Sequence, residues 1–138
     1  MTNSLGRGII NLKIRKGVIT MMNLNDLKVS YHFQNDRTER KERIDSIINN
    51  NFGQVVCEEW YKGAWRCLSD TGLIFIVKEQ RTIILTYYFA TLQVASCMYK
   101  AIGRKMPQAV ENKVKKNACA YNKLYGKSIS EKWVKGLD

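Results

Sequence analysis

The chain has 138 residues, 23 of them Lys or Arg and 12 Asp or Glu, which gives a formal net charge of +11. That length allows one hydrophobic core, and the proportions of 45% hydrophobic and 25% charged residues exclude a disordered or collagen-like chain. The longest nearly uncharged run, residues 82–99, contains polar residues and a strand-like pattern, which argues against a membrane span. No apolar segment with a cleavage site begins the chain, so we predict a soluble, cytoplasmic protein.

Cations and carboxylates are unevenly distributed along the sequence. Residues 1–35 have five cations and one carboxylate, and residues 92–138 have ten and three, whereas residues 36–91 have eight of each. Basic ends around a neutral middle are typical of a protein that binds nucleic acid or an acidic partner. A basic surface that only aids solubility explains the total charge equally well. Because the lysines cluster, we favour binding.

Residues 1–30 form an N-terminal extension with two competing explanations. Over residues 8–20 the apolar Ile10, Leu12 and Ile14 alternate with polar residues, which predicts a half-buried strand. Alternatively, residues 15–18 can be encoded by a purine-rich stretch shortly before Met21 and Met22. In that hypothesis translation begins at one of these methionines, and the preceding residues are a translated leader.

Residues 31–91 are predicted to contain one helix and a β-meander. A capping box from Asp36 to Glu39 predicts a helix over residues 36–51, with Arg37, Arg40, Lys41 and Arg43 on its wetter faces and Gly53 as its stop. The β-branched and aromatic residues that follow predict strands over residues 54–61, 64–69, 73–78 and 82–90. The connections are too short for parallel crossovers, so these strands should be antiparallel neighbours.

Residues 92–138 are predicted to be a basic helical region. Thr91 caps one helix that ends at Gly103, and Pro107 begins a second that ends at Gly126. A capping box at residues 128–131 predicts a third helix with Trp133 inward. The expected core-facing stripes are Leu92, Ala95, Met98, Tyr99 and Ile102, then Val110, Val114, Ala118, Tyr121 and Tyr125. The resulting fold is α+β: a four-stranded antiparallel meander, with an N-terminal strand as an optional fifth, packed on one helix and capped by two or three C-terminal helices.

The cysteines and the single histidine give no metal or cofactor signal. Cys57, Cys67, Cys97 and Cys119 are separated by 10, 30 and 22 residues, without a C-x-x-C motif, so no zinc site is predicted. Phosphate-binding and dinucleotide-binding glycine motifs are absent from the sequence, so we predict no cofactor. Cys57 and Cys67 fall on neighbouring strands and could face one another, although buried free thiols are the favoured explanation.

Two groups near the predicted helix are candidates for chemistry. His32, in an aromatic strand-like segment, is the natural proton-transfer residue if the protein is an enzyme, but a structural role is more common there. Arg37, Arg40 and Arg43 share one flank of the helix, where guanidinium groups could bind phosphate. Acidic residues interleave with these arginines, so a helix with its own ion pairs is the favoured explanation.

Cations and aromatic rings also accompany the predicted sheet. Arg66, Lys78 and Arg81 lie near Trp60, Trp65, Tyr87 and Tyr88 in the sequence pattern, and such surfaces can hold phosphate and stack bases. A metal-independent RNase needs a base, an acid and cationic stabilisation of the phosphorane. These residues, together with His32, could supply those roles.

The order of basic helix, four-stranded meander and aromatic last strand resembles the small RelE- and barnase-like toxin superfamily over residues 31–91. Residues 67–77 and 82–87 are also similar to a TDTG-type hairpin in small uncharacterised phage and prophage proteins. The toxin resemblance implies catalysis by basic sheet residues and a late tyrosine, which here are Arg66, Lys78, Arg81 and Tyr87 or Tyr88. The chain departs from the toxins in having about 47 residues after its last predicted strand.

We therefore predict a phage- or prophage-type basic protein that binds nucleic acid or a nucleic-acid enzyme without catalysis, such as an inhibitor of a host defence nuclease in the host cytoplasm. The alternative is a metal-independent endoribonuclease of RelE type. The expected partners are RNA, DNA, or an acidic or nucleic-acid-bound host protein, and no membrane. The candidate phosphate-binding residues are Arg37, Arg40, Arg43, Lys113, Lys115, Lys116 and Lys123, the four lysines forming an exposed ridge beside the apolar stripe.

Overall fold

The structure is a computed structural model that describes residues 14–15, 18–19, 22–34 and 39–129. Its strands are β1 (Ile14–Arg15), β2 (Val18–Ile19), β3 (Lys28–Val29), β4 (Val55–Tyr61), β5 (Ala64–Ser69), β6 (Leu73–Val77) and β7 (Ile83–Phe89). Its helices are a short 3-10 turn (Leu24–Asp26), α1 (Tyr31–Gln34), α2 (Glu39–Ile48), α3 (Leu92–Ala101) and α4 (Gln108–Tyr125). The predicted α+β class is confirmed.

The main sheet has five strands in the order β3-β7-β6-β5-β4. All neighbours are antiparallel except β3 and β7, which are parallel. Each of β4 to β7 begins and ends within one residue of its predicted bounds. Lys62 and Gly63 both have positive φ, 52° and 84°, which is the backbone of a two-residue hairpin turn between β4 and β5.

The N-terminal part of the described chain differs from the prediction. The fifth strand of the main sheet is β3, whereas β1 and β2 form a separate two-stranded sheet. Residues 8–13 of the alternating segment lie outside the described residues. His32 belongs to helix α1 rather than to a strand, because the Ser30 carbonyl accepts from the Gln34 amide and the Ser30 hydroxyl accepts from the Phe33 amide.

Helix α2 is shorter than predicted and stops for a different reason. It covers Glu39–Ile48, and the Asp36 cap lies outside the described residues. The chain leaves the helix through Asn49 and Asn50, whose φ angles of 51° and 64° are left-handed, a region that asparagine tolerates. Gly53 is needed for close approach instead, since a Cβ there would clash with Asp70 Oδ1.

Helices α3 and α4 lie where the sequence predicts them. The Thr91 hydroxyl accepts from the Val94 amide, and Gly126 ends α4 in the left-handed conformation. The apolar stripes need three corrections, because Leu92, Ile102 and Ala118 are exposed. The predicted helix with Trp133 lies outside the described residues.

Asn117, rather than Ala118, faces the sheet from α4 and fixes the helix against the turn between β5 and β6. Its side chain is buried, and Nδ2 donates to the Thr71 carbonyl at 2.9 Å. Gly72 allows this approach, because a Cβ there would lie 2.7 Å from Asn117 Nδ2 and 3.3 Å from the Val114 amide nitrogen. Because the buried Asn117 amide makes this hydrogen bond, the contact sets the position of α4.

The four cysteines are all free. Cys57 and Cys67 are buried as expected, but they lie in different rows of the ladder: Cys57 is opposite Leu68, and Cys67 is opposite Glu58. Their side chains therefore point to opposite faces of the sheet and cannot face one another. Cys97 and Cys119 are exposed, contrary to the expectation of buried thiols.

Candidate functional site

The sheet divides the predicted catalytic residues between its two faces. The ladder places Glu59, Arg66, Ile76 and Thr86 in one row, and Tyr88 shares that face because it lies two residues beyond Thr86. Cys67, Phe75 and Tyr87 form the neighbouring row on the opposite face. Arg66 and Tyr88 are therefore together, whereas Tyr87 points away from them.

Arg66 is held by the residues around it on its own face. It forms an ion pair with Glu59, and its guanidinium carbon lies 4.4 Å from the centre of the Tyr61 ring. Tyr88 is buried, and burial raises the pKa of its phenol while the nearby Arg66 charge and hydrogen bond act in the opposite direction. A phenol that holds its proton suits a general base poorly, and the guanidinium already has a carboxylate partner.

Arg81 is held in a similar way at the turn between β6 and β7. Its Nη2 lies 2.7 Å from Glu58 Oε2, and its guanidinium carbon lies 4.0 Å from the centre of the Trp65 ring. Its backbone is left-handed, with φ 58°, a conformation that costs about 1 kcal/mol in a residue other than glycine. Lys78, at the start of the same turn, is exposed.

Tyr87 lies under α2 with its hydroxyl bound. The hydroxyl donates to Asp45 Oδ1 at 2.5 Å, and the ring packs between Phe33, Phe52 and Phe75. Burial first, and then the Asp45 carboxylate, raise the pKa of this phenol well above its ordinary value. Tyr87 therefore stabilises the attachment of α2 to the sheet.

His32 is exposed on α1. The residues that the toxin resemblance implies are thus spread over both faces of the sheet and one turn, and the histidine lies on a separate helix.

The arginines of α2 face inward, which corrects the predicted wetter flank. Arg40 is only 6% exposed; its Nη2 donates to Thr86 Oγ1 at 3.2 Å, and the guanidinium packs on the Phe33 ring. Arg43 Nη1 donates to the Tyr121 hydroxyl at 2.8 Å, and its guanidinium carbon lies 4.5 Å from the centre of the Tyr125 ring. These two arginines join α2 to the sheet and to α4. Arg37 lies outside the described residues.

The lysines of α4 have a different environment. Lys115, Lys116 and Lys123 are exposed as predicted, whereas Lys113 is half-buried beside the core-facing stripe, which corrects its predicted place on the exposed ridge. Within residues 39–129, the one ion pair of these lysines joins Lys115 Nζ to Glu111 Oε2 at 2.9 Å. The remaining charges face solvent, because the core-facing side of α4 consists of Val110, Val114, Asn117 and Tyr121.

Four further exposed cations lie in the same helical segment of the chain and were not among the predicted site residues. Lys100, Arg104 and Lys105 lie at the end of α3 and in the connection after it, and Lys127 follows α4; all are exposed. Residues 92–127 thus contain eight cations and one carboxylate, Glu111. The scarcity of carboxylates in residues 92–127 is visible in the sequence and could have identified these four cations as candidates. We call this set the helical cationic surface: Lys100, Arg104, Lys105, Lys113, Lys115, Lys116, Lys123 and Lys127.

The turns at the opposite end of the sheet from the β5–β6 turn form a second surface. Trp60 and Tyr61 are 53% and 39% exposed, and Trp60 meets Trp65 edge to face with ring centres 5.2 Å apart. We call this set the hairpin end: Glu58, Glu59, Trp60, Tyr61, Lys62, Trp65, Arg66, Lys78, Glu79 and Arg81. It contains four cations and three carboxylates, so it is nearly neutral.

In the part of the chain that the structure describes, no three His, Cys, Asp or Glu side chains come together as a metal site. None of the described helices combines the length and apolar character needed to cross a bilayer. We compared the chain with protein-family models, with curated proteins and with solved structures, and none of the three comparisons found a match.

Proposed function

We propose that the protein binds nucleic acid without catalysis and that the helical cationic surface is its phosphate-binding site. The observation that carries this proposal is the contrast in partners. The arginines of the sheet and of α2 bind carboxylates, hydroxyls and rings of the same chain, whereas residues 92–127, which contain the helical cationic surface, have eight cations and a single carboxylate. Unpaired surface cations gain most by neutralising phosphates.

The chemistry of this surface favours backbone contacts over reading of bases. Seven of its eight cations are lysines, which act as point charges on flexible stems rather than as bidentate forks. Phosphate contacts position a protein on nucleic acid but contain no sequence information. We therefore propose binding with little sequence preference and a steep dependence on salt.

The positions of the predicted catalytic residues support a function without catalysis. Arg66 and Tyr88 share one face, Tyr87 lies on the other, and both tyrosines have a raised pKa. An RNase needs its base, acid and phosphate-stabilising cation around one scissile bond.

Two triple variants with the same change in net charge test the proposal. The first, Lys105→Gln with Lys116→Gln and Lys123→Gln, removes exposed cations of the helical cationic surface. The control, Lys28→Gln with Lys62→Gln and Lys78→Gln, removes exposed cations outside it. Binding to a fluorescent DNA duplex is measured by anisotropy at several salt concentrations. We expect the slope of log K against log salt to fall by up to about 2.7 in the first variant only, at about 0.9 per phosphate.

Two results would overturn the proposal. Equal losses in the two triple variants would show that net charge, and not this surface, drives binding, and the absence of binding by the wild-type chain would remove the function altogether. Incubation with labelled RNA in EDTA tests the second part of the proposal. Cleavage that disappears in Arg81→Ala and in Tyr87→Phe would show that the protein is a ribonuclease.

A further inference from the structure

Strand β4 is an edge of the main sheet, and most of its outer side pairs with no described strand. At its start, the Val55 amide donates to the Met22 carbonyl, and Gln54 bridges to Asn23. Beyond that point, among the residues that the structure describes, only β5 pairs with β4. In the described part of the chain, helix α3 packs near β4, but no second strand pairs with the backbone of residues 57–61 on its outer side.

The register identifies which groups of β4 point outward. Tyr61 and Ala64 flank the two-residue turn and form the pair that closes the hairpin with hydrogen bonds. Hydrogen-bonded and non-hydrogen-bonded pairs alternate along an antiparallel ladder, so Glu59 binds β5 through its backbone. The amides and carbonyls of Glu58 and Trp60 consequently point away from the sheet.

This edge lacks several features that natural proteins use to prevent edge-to-edge pairing. Strand β4 contains no Pro and no Lys, and its Glu58 and Glu59 side chains are bound by Arg81 and Arg66 of the same sheet. The only irregularity of its pairing lies at Val55–Cys57, before the open segment. Beside the outward amides stands Trp60, an exposed ring of a type enriched at protein interfaces.

The distribution of charge indicates which partner fits. The chain has a net charge of +11, so two copies repel one another over most of their surface. The hairpin end is nearly neutral because its arginines are paired, so it is where two copies meet with the least repulsion. An antiparallel pair of identical strands also matches its own hydrogen-bond pattern around a two-fold axis.

We propose that two copies of the chain associate through β4, which pairs antiparallel with β4 of the second copy and buries Trp60. Such a dimer would present two helical cationic surfaces. Two linked sites bind a long nucleic acid more tightly than either alone, because the second contact becomes intramolecular. The dimer itself does not depend on the proposed nucleic-acid function.

Sedimentation of the full chain without nucleic acid tests the dimer over about 1 µM to 1 mM, a range that covers weak association. We expect a concentration-dependent dimer that Trp60→Lys abolishes, because it places a cation on the edge. Leu124→Lys is the matched control: it also replaces an exposed apolar residue by Lys, on α4, and should leave the dimer intact. Added salt should strengthen the dimer by screening repulsion and weaken nucleic-acid binding, which separates the two proposals.

Hydrogen exchange of the wild-type chain provides a second measurement that does not need a folded variant. The Glu58 and Trp60 amides should become protected as concentration rises, whereas the Glu59 and Tyr61 amides should be protected at every concentration. A monomer throughout the range, or protection of neither outward amide, would overturn the proposal. If the chain is a monomer and its Trp60→Lys variant also loses affinity for single-stranded DNA, the proposal is overturned in favour of base stacking at the hairpin end.

Discussion

The hairpin end and the helical cationic surface both contain several cations, but they differ in what surrounds each one. At the hairpin end, Arg66 and Arg81 each have a carboxylate and an aromatic ring. On the helical cationic surface, the one ion pair among the described residues is Lys115 with Glu111. A count of basic residues therefore says little about where a phosphate can bind. The number of carboxylates close to each cation decides whether that cation is available to a phosphate.

The residue type strengthens this difference. Arginine forms bidentate pairs and stacks on rings, so it is suited to fixed positions in a folded surface, whereas lysine is strongly hydrated and stays in solvent. The Arg81 guanidinium lies against both the Trp65 ring and the Glu58 carboxylate, so moving it to a phosphate would break two contacts. A lysine such as Lys116 gives up only water.

The largest expected effect concerns the attachment of α4, which carries half of the helical cationic surface. Gly72→Ala adds a Cβ 2.7 Å from Asn117 Nδ2 at a φ of 84°, and we expect a loss of about 3 kcal/mol in the free energy of unfolding. Gly63→Ala is the control, because its φ is also 84° and no atom lies within 4 Å. It should cost about 1 kcal/mol. Urea unfolding measures both, and equal losses would show that α4 does not depend on this contact.

Alkaline pH should act through two cysteines of the sheet, Cys57 and Cys67, which are buried in β4 and β5. Burial raises the pKa of Cys57 from 9.0 to about 12 and also raises that of Cys67. Above pH 9 the unfolded chain loses these protons while the folded chain keeps them, so the free energy of unfolding falls as pH rises.

Each thiol should contribute a decrease of about 1.4 kcal/mol per pH unit in this range. Cys57→Ala should flatten the dependence by one such contribution, measured by urea unfolding from neutral pH to the alkaline side. A variant with the wild-type slope would mean that the Cys57 thiol is not desolvated in the folded chain.

Removing the carboxylate partners of Arg66 and Arg81 should allow the hairpin end to bind phosphates, as proposed for the helical cationic surface. In the double variant Glu58→Gln with Glu59→Gln, Arg66 and Arg81 lose their carboxylates and become available to phosphates. We expect several-fold tighter binding to duplex DNA, about 1 kcal/mol, and a salt slope steeper by up to about 1.8. Asp26→Asn with Glu42→Gln, two exposed residues outside the hairpin end, makes the same change in net charge as a control. An equal gain in the control would contradict the importance of pairing.

The smallest expected effect is the release of Lys115. Glu111→Gln removes the single carboxylate of residues 92–127 and breaks an exposed i,i+4 pair that contributes about 0.3–0.5 kcal/mol. Thermal unfolding should therefore shift slightly, while binding to duplex DNA should tighten by up to about twofold. Weaker binding in this variant would mean that Glu111 itself takes part in recognition.

The sequence by itself determined strands β4 to β7, helices α3 and α4, and the segregation of charge along the chain. Strands β4 to β7 follow from short β-rich segments between turn residues, and α3 and α4 from the Thr91 cap, Pro107 and Gly126. These signals are local, since the period of apolar residues and the chemistry of turns and caps act within a few neighbouring residues. The cation-rich segment after residue 91 likewise needed only counting.

Only the tertiary structure decided which cations are free. The Glu58–Arg81 pair joins residues 23 positions apart, and Arg43 meets Tyr121 across 78 positions, so no local pattern could reveal either contact. The inward turn of the α2 arginines has the same cause, because the neighbours that bind them come from β7 and α4. The partners of a side chain depend on how distant elements pack. Because of this packing, Arg40 and Arg43, which were predicted to bind phosphate, instead join α2 to the sheet and to α4.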